Sequence, residues 1–264
     1  MHFTNKIIWI TGASSGIGKA LAIELANNNA FLILSSRKKQ DLAQIQKACK
    51  NPENVKIVPL DLEKYDKLEE VAKLAIAAFG RIDILVNNAG ISQRSLLKDT
   101  NIAVDKRIME VNYLGNIGLA KAILPHFITN KKGHFVVTTS IVGKIGTPFR
   151  SSYAASKHAL HGFYDSLRAE HYKDNITVTL VCPGFVNTNI SKNALTGDGS
   201  PQNKMDTATA NGLPANYFAK LMAKAIYKEK EEVYIAGTKE KLGVYMKRWF
   251  PKVFSILIRK ISVT

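Results

Sequence analysis

The segment Lys6-Ile7-Ile8-Trp9-Ile10-Thr11-Gly12-Ala13-Ser14-Ser15-Gly16-Ile17-Gly18-Lys19 sets the reading of the whole chain. Its first part is short, apolar and β-branched, as a strand buried on both faces requires, and a helical pattern opens near Ile17. Between them, Gly12, Gly16 and Gly18 let the backbone turn tightly and approach a pyrophosphate at a helix N-terminus. There, unpaired N–H groups and the helix dipole favour negative charge. The spacing is neither GxGxxG nor a P-loop, because Lys19 is followed by Ala20 rather than Ser or Thr. Gly12-Ala13-Ser14-Ser15-Gly16 also matches the G-x-S-x-G nucleophile elbow of α/β-hydrolases, with Ser14 as nucleophile. That elbow follows several strands in its fold, whereas this turn follows the first.

Outward from the turn, strand-length apolar runs alternate with helical periods almost to the end. Lys6–Thr11, Phe31–Ser35, Val55–Leu60, Ile82–Val86, Gly133–Thr138, Ile176–Val181 and Glu232–Ile235 read as strands. Leu68, Val71, Ala72, Ala75, Ile76 and Phe79 form one helical stripe with Lys and Glu opposite. The alternation predicts an α/β fold, a single doubly wound parallel sheet of the Rossmann type with right-handed crossovers. One domain is expected over residues 1–238, followed by a helical extension over 239–264. Asn193–Pro214, rich in Gly and almost free of apolar residues, reads as a mobile rim loop.

Composition bounds the function. The chain has 264 residues, 46% of them hydrophobic and 22% charged, which excludes a disordered, collagen-like or disulfide-scaffold protein. Cys49 and Cys182 stand apart without a CxxC neighbour, which points to a reduced compartment and away from a Cys-built zinc site. His158, His161 and His171 have no carboxylate partner at metal-ligand spacing, so no metal is expected. No targeting segment and no apolar run of about 18 residues is visible, so a cytoplasmic protein is expected. Lys plus Arg is 37 against 21 Asp plus Glu, a net charge of +16 that suits a nucleic acid, an anionic membrane or a phosphorylated ligand.

The end of the second strand narrows that choice. An acidic residue there would hold a ribose 2′-hydroxyl. The sequence instead reads Leu34-Ser35-Ser36-Arg37-Lys38-Lys39, with no acid. Ser36 and Arg37 suit a 2′-phosphate, and a charge-assisted bond contributes roughly 1.5–3 kcal/mol, or about 10- to 150-fold in affinity. The other reading of Arg37 is a solvated, basic helix start. NADP(H) is therefore expected over NAD(H).

Ser151-Ser152-Tyr153-Ala154-Ala155-Ser156-Lys157 opens a helix that continues through Leu160, Phe163 and Leu167. Tyr153 and Lys157, four apart, project from one face. The ordinary tyrosine pKa of about 10 is too high for proton transfer near neutrality. An ammonium at ~5 Å would stabilise the phenolate by roughly 3 kcal/mol, about two pKa units. Ser140 ends the strand Phe135–Thr139 thirteen residues upstream of Tyr153, and a parallel sheet delivers strand ends to the crevice that holds the glycine turn.

Taken together, Thr11-Gly12-x-x-x-Gly16-x-Gly18, Asp61, Asn87-Asn88-Ala89-Gly90, Asn112, Ser140, Tyr153-x-x-x-Lys157 and Pro183-Gly184 resemble the short-chain dehydrogenase/reductase family over about residues 5–237. The resemblance implies that Tyr153 is the general acid/base and that Ser140 hydrogen-bonds the substrate oxygen. Lys157 would bind the nicotinamide ribose and tune Tyr153, and Asn112 would hold a proton-relay water. Cofactor contacts would come from Gly12, Ser14, Ser15, Gly16, Ile17 and Gly18, from Ser36 and Arg37, and from Asp61 and Leu62 at the adenine. Asn88, Ala89 and Gly90 would line the adenosine side, and Pro183, Gly184, Val186 and Thr188 the nicotinamide and pyrophosphate, beside Tyr153 and Lys157.

The implied function is hydride transfer between NADP(H) and a carbonyl or secondary alcohol, in a homodimer or homotetramer. The alternative is an NADP(H)-sensing protein without turnover. Phe149, Phe185, Tyr217 and Phe218 lie in segments expected to border the substrate, so the substrate is expected to be an apolar small molecule. No nucleic-acid motif accompanies the positive charge.

The tail holds Lys239, Lys241, Lys247, Arg248, Lys252, Arg259 and Lys260 against Glu240 alone. Leu242, Tyr245, Met246 and Trp249 recur at helical spacing, and a second apolar set follows Pro251. Two short amphipathic helices hinged at Pro251 follow. Their apolar faces would cover the protein's own cleft or a subunit, or else make a peripheral contact with an anionic membrane through Trp249 and Phe250. In composition the tail looks like that of the membrane-associated, hydroxysteroid-dehydrogenase-like branch of the family.

Overall fold

The computed structural model describes residues 1–259. In chain order its elements are β1 (Ile7–Thr11), α1 (Gly16–Asn27), β2 (Phe31–Ser35), α2 (Lys39–Ala48), β3 (Val55–Ile57), α3 (Leu68–Ala77) and β4 (Ile84–Asn87). Then come α4 (Ile102–Met109), α5 (Gly115–Thr129), β5 (Gly133–Thr138), α6 (Ser151–Glu170), β6 (Ile176–Pro183) and β7 (Val186–Asn187). The chain continues with α7 (Thr207–Ala210), β8 (Leu213–Pro214), α8 (Ala215–Tyr227), β9 (Glu232–Ile235), α9 (Thr238–Trp249) and α10 (Pro251–Ile258). A seven-stranded sheet in the order β3-β2-β1-β4-β5-β6-β9 is parallel throughout. The order reverses between β1 and β4, which opens a crevice at the carboxyl ends of those strands.

Alternate strand residues feed two cores, as a period of two dictates. Ile8, Ile10, Leu32, Leu34, Val86 and Val136 pack toward Leu21, Leu25, Met222 and Ile226 of α1 and α8. Trp9, Ile33, Leu85, Phe135 and Leu180 pack toward Ala72, Leu119, Phe127 and Leu160 of α3, α5 and α6. The expected Val55–Leu60 strand stops at Ile57, although Val58 N–H still bonds the Leu34 carbonyl at 3.1 Å.

Between α4 and α5, residues Glu110–Leu114 form a π-helical turn that buries Asn112. Such a turn re-aims one side chain without ending the helix, a device frequent at functional sites.

Three expectations are corrected. Asn193–Pro214 is an anchored strap rather than a mobile rim loop. Leu195 is buried and bridges both Gln93 and Pro201, and Asp206 and Thr209 are buried as well. The strap closes on β7 through β8 and the short α7. The anchors hid from sequence reading because they are distant: Asp206 pairs with Arg94, 112 residues away, and the Leu195 backbone bonds Ser92 and Arg94. Phe218 does not border the crevice; it is fully buried in the core beneath α8, while Tyr217 beside it is exposed. The histidine reading missed a tertiary grouping: ligand atoms of His161, Cys182 and Glu232 lie within 4.8 Å of one another. Glu232 there pairs with Lys144 Nζ at 2.8 Å, and burial pushes the Cys182 thiol up to about 12.

The tail forms the two expected helices, broken at Pro251. Phe254, with Val244, Met246 and Ile258, packs on Ile141, Ile145, Cys182 and Tyr234. Leu242, Tyr245, Trp249, Phe250, Val253, Ile256 and Leu257 face outward. Lys260 lies outside the described residues.

Candidate active site

The glycine turn is locked from two sides. Thr11 Oγ1 accepts from the N–H groups of Asn88 and Ala89 at 3.0 and 3.1 Å. Asn88 Nδ2 donates back to the carbonyls of Thr11 and Gly12 at 3.1 and 3.4 Å. This leaves no room for side chains: a Cβ on Gly18 would stand 2.3 Å from the Gly12 carbonyl oxygen, and Gly12 itself has φ +65°. Asn88 therefore braces the turn from beneath. Thr188 packs against the other side, where a Cβ on Gly16 would meet Thr188 Cγ2 at 3.2 Å. Ser15 takes the cap position of α1, with Ser14 just before it and Ile17 in the first turn.

At the outer end of the crevice, Asp61 Oδ1 accepts the Glu63 N–H at 3.2 Å. Leu62 is buried in the core. Arg37 is 61% exposed at its side chain, with Nη1 3.9 Å from Glu63 Oε2. Glu63 is held more closely by Arg107, whose Nε donates at 3.0 Å, which leaves Arg37 only loosely engaged. Ser36 Oγ accepts the Lys38 N–H at 3.3 Å.

At the inner end, Ser140 follows β5 and donates to the Pro183 carbonyl at 3.4 Å. Its hydroxyl also accepts the Val142 N–H at 3.3 Å. Lys157 is buried, its ammonium donating to the Thr138 carbonyl at 2.8 Å, and burial lowers its pKa to about 8. Asn112 accepts from the Ile91 N–H at 2.8 Å and donates to the Ile91 carbonyl and Ser156 Oγ at 2.9 and 3.0 Å. It thereby holds the loop after Gly90 against α6, and a Cβ on Gly90 would stand 3.0 Å from its Oδ1 and 3.5 Å from Lys157 Nζ.

Beyond Pro183, Gly184 N–H bonds the Ile235 carbonyl at 3.0 Å, and Phe185 N–H donates to Glu240 Oε1 at 2.7 Å. Glu240 also accepts the Gly237 N–H, so α9 braces the Pro183–Val186 turn.

Sequence reading missed three residues here. Gln93 is fully buried, and its Oε1 accepts from the Ser152 and Tyr153 N–H groups at 3.0 and 3.4 Å. It satisfies the open N-terminus of α6, which Arg150 at the cap position does not. Arg94 and Arg150 are both buried beside it. Burial raises the Tyr153 pKa, while Arg94, the Ser140 hydroxyl and Arg150 act to lower it. The sequence had credited this lowering to Lys157. No local signal marks any of the three, because none lies in a motif.

The arrangement suits a dinucleotide laid across the crevice with its reactive end at Ser140, Tyr153 and Lys157. Residues 6–198 match the family model described as short chain dehydrogenase. The chain is 41% identical to dehydrogenase/reductase SDR family protein 7-like of Anopheles gambiae, over 98% of this chain and 84% of that one. It is 40% identical to dehydrogenase/reductase SDR family member 7B of Xenopus laevis, over 94% and 79%. Among solved structures, a short chain dehydrogenase/reductase from Burkholderia phymatum in complex with NAD superposes with a TM-score of 0.82 at 25% identity, covering 96% of each chain. An alcohol dehydrogenase from Thermococcus sibiricus complexed with 5-hydroxy-NADP gives 0.74 at 26% identity, covering 87% and 95%. The chain belongs to the short-chain dehydrogenase/reductase family, a class of nucleotide-binding oxidoreductases.

Proposed function

We propose that this oxidoreductase moves a hydride between NADP(H) and a carbonyl or secondary alcohol of an apolar small molecule, with Tyr153 as general acid/base. The meeting of Ser140, at the carboxyl end of β5, with Tyr153 and the buried Lys157 of α6, whose ammonium is held by the Thr138 carbonyl, supports this reading. In reduction, Ser140 donates to the substrate oxygen and Tyr153 passes its proton to it. In oxidation, the phenolate takes the alcohol proton. The cofactor supplies and accepts the hydride. Lys157, whose lowered pKa places its proton near the working range, holds the nicotinamide ribose; Asn112 fixes the loop beside it.

The backbone of Gly12–Gly18 would hold the pyrophosphate, with Ser14, Ser15, Gly16, Ile17 and Thr188 around it. Asp61, Leu62, Asn88, Ala89 and Gly90 would take the adenosine, and Pro183, Gly184 and Val186 the nicotinamide. The weak pairing of Arg37 with Glu63, and the absence of an acid after β2, support NADP(H). Fluorescence titration with NADPH and NADH at fixed salt tests this: preference for NADPH supports it, and equal or better NADH binding overturns it. NADPH consumption with a panel of apolar ketones separates an enzyme from a sensor without turnover. The functional unit is proposed as a homodimer or homotetramer, tested by light scattering. The outward apolar face of α9 and α10 is proposed to rest peripherally on an anionic bilayer.

A further inference from the structure

Glu240 is the only acid in the basic tail, and it is half-buried. Its Oε2 accepts the Gly237 N–H, which closes the first turn of α9 as a capping box does. That local task uses one oxygen. The other, Oε1, accepts the Phe185 N–H at 2.7 Å across 55 residues of chain. Capping α9 asks nothing of Oε1, so the bond to Phe185 calls for a separate account.

Phe185 lies in the turn that follows β6, and the backbone of that turn is held group by group. Ser140 Oγ donates to the Pro183 carbonyl at 3.4 Å, and Gly184 N–H bonds the Ile235 carbonyl at 3.0 Å. The Phe185 carbonyl accepts the Leu213 N–H at 2.9 Å. Glu240 serves the remaining group, the Phe185 N–H. The fit is close: a Cβ on Gly184 would overlap Glu240 Oε1 and stand 2.7 Å from Ala236 Cβ.

The same tail grips the neighbouring loop. Lys247 Nζ donates to the Lys144 carbonyl at 2.9 Å, and Phe254, Val244 and Met246 pack on Ile141 and Ile145. These residues follow Ser140 directly, so the tail holds both segments that leave the carboxyl ends of β5 and β6. The other acid nearby, Glu232 on β9, is engaged by Lys144 Nζ at 2.8 Å and by the Tyr234 hydroxyl.

We propose that Glu240 is a positioning residue for the cofactor: through its bond to the Phe185 N–H, α9 sets the turn against which the nicotinamide rests, and the tail is part of the hydride-transfer site. The inference rests on the proposed placing of the nicotinamide at Pro183, Gly184 and Val186, and it deepens that reading. It makes reach matter and charge not. Glutamine keeps the length and an acceptor oxygen for Phe185, while the exposed Gly237 N–H turns to water. Aspartate keeps the negative charge that a helix favours in its first turn, but falls one methylene short of Phe185. A role confined to stabilising α9 requires the reverse order, with Glu240→Asp the milder change.

The test is calorimetric titration of the full chain with NADPH and with 2′,5′-ADP, which lacks the nicotinamide half. NADH and ADP are run beside them, so that the choice of cofactor does not enter. Glu240→Asp is expected to weaken the dinucleotide by about tenfold and leave its adenine fragment within about twofold, whereas Glu240→Gln keeps both within about twofold of wild type. Fluorescence of the bound dihydronicotinamide should move toward that of free cofactor in Glu240→Asp alone. Equal weakening of dinucleotide and fragment, no weakening in Glu240→Asp, or Glu240→Gln as weak as Glu240→Asp overturns the proposal. Loss of fold in Glu240→Asp, read by circular dichroism, overturns it as well, because the reach of the carboxylate would then serve folding. Failure of the underlying reading looks different: the wild type would bind each dinucleotide no more tightly than its adenine fragment, or bind neither.

Discussion

Lys157 and Tyr153 share a face of α6, yet the lysine ammonium lies 5.8 Å from the centre of the tyrosine ring and gives a proton to the Thr138 carbonyl at 2.8 Å. The pair is thus organised through the end of β5 rather than by direct contact of ammonium with phenol. Under the proposed function this arrangement would leave the Tyr153 hydroxyl to the substrate and Lys157 to the ribose.

Tyr153→Phe should lower turnover by about 10²- to 10⁴-fold, the usual contribution of general acid/base catalysis, while NADPH affinity stays within about twofold. Stopped-flow turnover and fluorescence titration read the two quantities separately. Loss of cofactor binding along with activity would make the tyrosine structural.

Arg37→Ala should weaken NADPH by about 10- to 150-fold and leave NADH nearly unchanged. Glu63→Gln should have the opposite sign, because it removes the carboxylate 3.9 Å from Arg37 and frees that charge for a phosphate. Equal effects of Arg37→Ala on both cofactors would remove the 2′-phosphate assignment.

His134 is buried in β5 with its Nε2 2.8 Å from Thr179 Oγ1, and burial, aided by Lys6, lowers its pKa to about 4 from 6.5. Below pH 6.5 the unfolded chain binds a proton that the folded chain refuses, so stability falls as pH drops from 6.5 toward 4. The loss should be roughly 3 kcal/mol over that window. Urea unfolding at several pH values should show this slope in the wild type and its absence in His134→Gln. Equal slopes would mean that other groups carry it.

On the tail, Trp249 and Phe250 are 71% and 63% exposed beside Arg248 and Lys252. Co-sedimentation with phosphatidylserine vesicles should fall about tenfold or more in the double variant Trp249→Ala/Phe250→Ala. It should also weaken with added salt, which screens the basic residues. Equal binding to neutral vesicles would remove the electrostatic part, and no binding to either would make the face a subunit contact or a free surface.

Gly18→Ala should abolish dinucleotide binding, since its methyl would stand 2.3 Å from the Gly12 carbonyl oxygen and 2.6 Å from Asn88 Nδ2. Isothermal calorimetry with NADPH checks it. Unaltered binding would show that the turn can open without harm.

Periodicity carried most of the fold. The central strands lie in runs such as Phe31–Ser35 or Gly133–Thr138 that are buried on both faces, and such runs have few other ways to be buried; only the edge strands β3 and β9 carry exposed or charged residues, Lys56 and Glu232. The glycine turn and the Tyr153–Lys157 spacing were legible for a related reason: their geometry is set by residues within one turn of chain. Gln93, Arg94, Arg150 and Asp206 were not legible, nor was the strap that holds Asp206, because their meaning depends on partners up to 112 residues away. The sequence alone therefore determined the parallel α/β sheet, the dinucleotide turn and the family, which follow from local conformational preference and hydrophobic patterning. Only the tertiary structure decided which residue satisfies the start of α6, which side of the tail is covered and where the strap is anchored. Electrostatics and burial depend on distance in space, and chain spacing does not carry that distance.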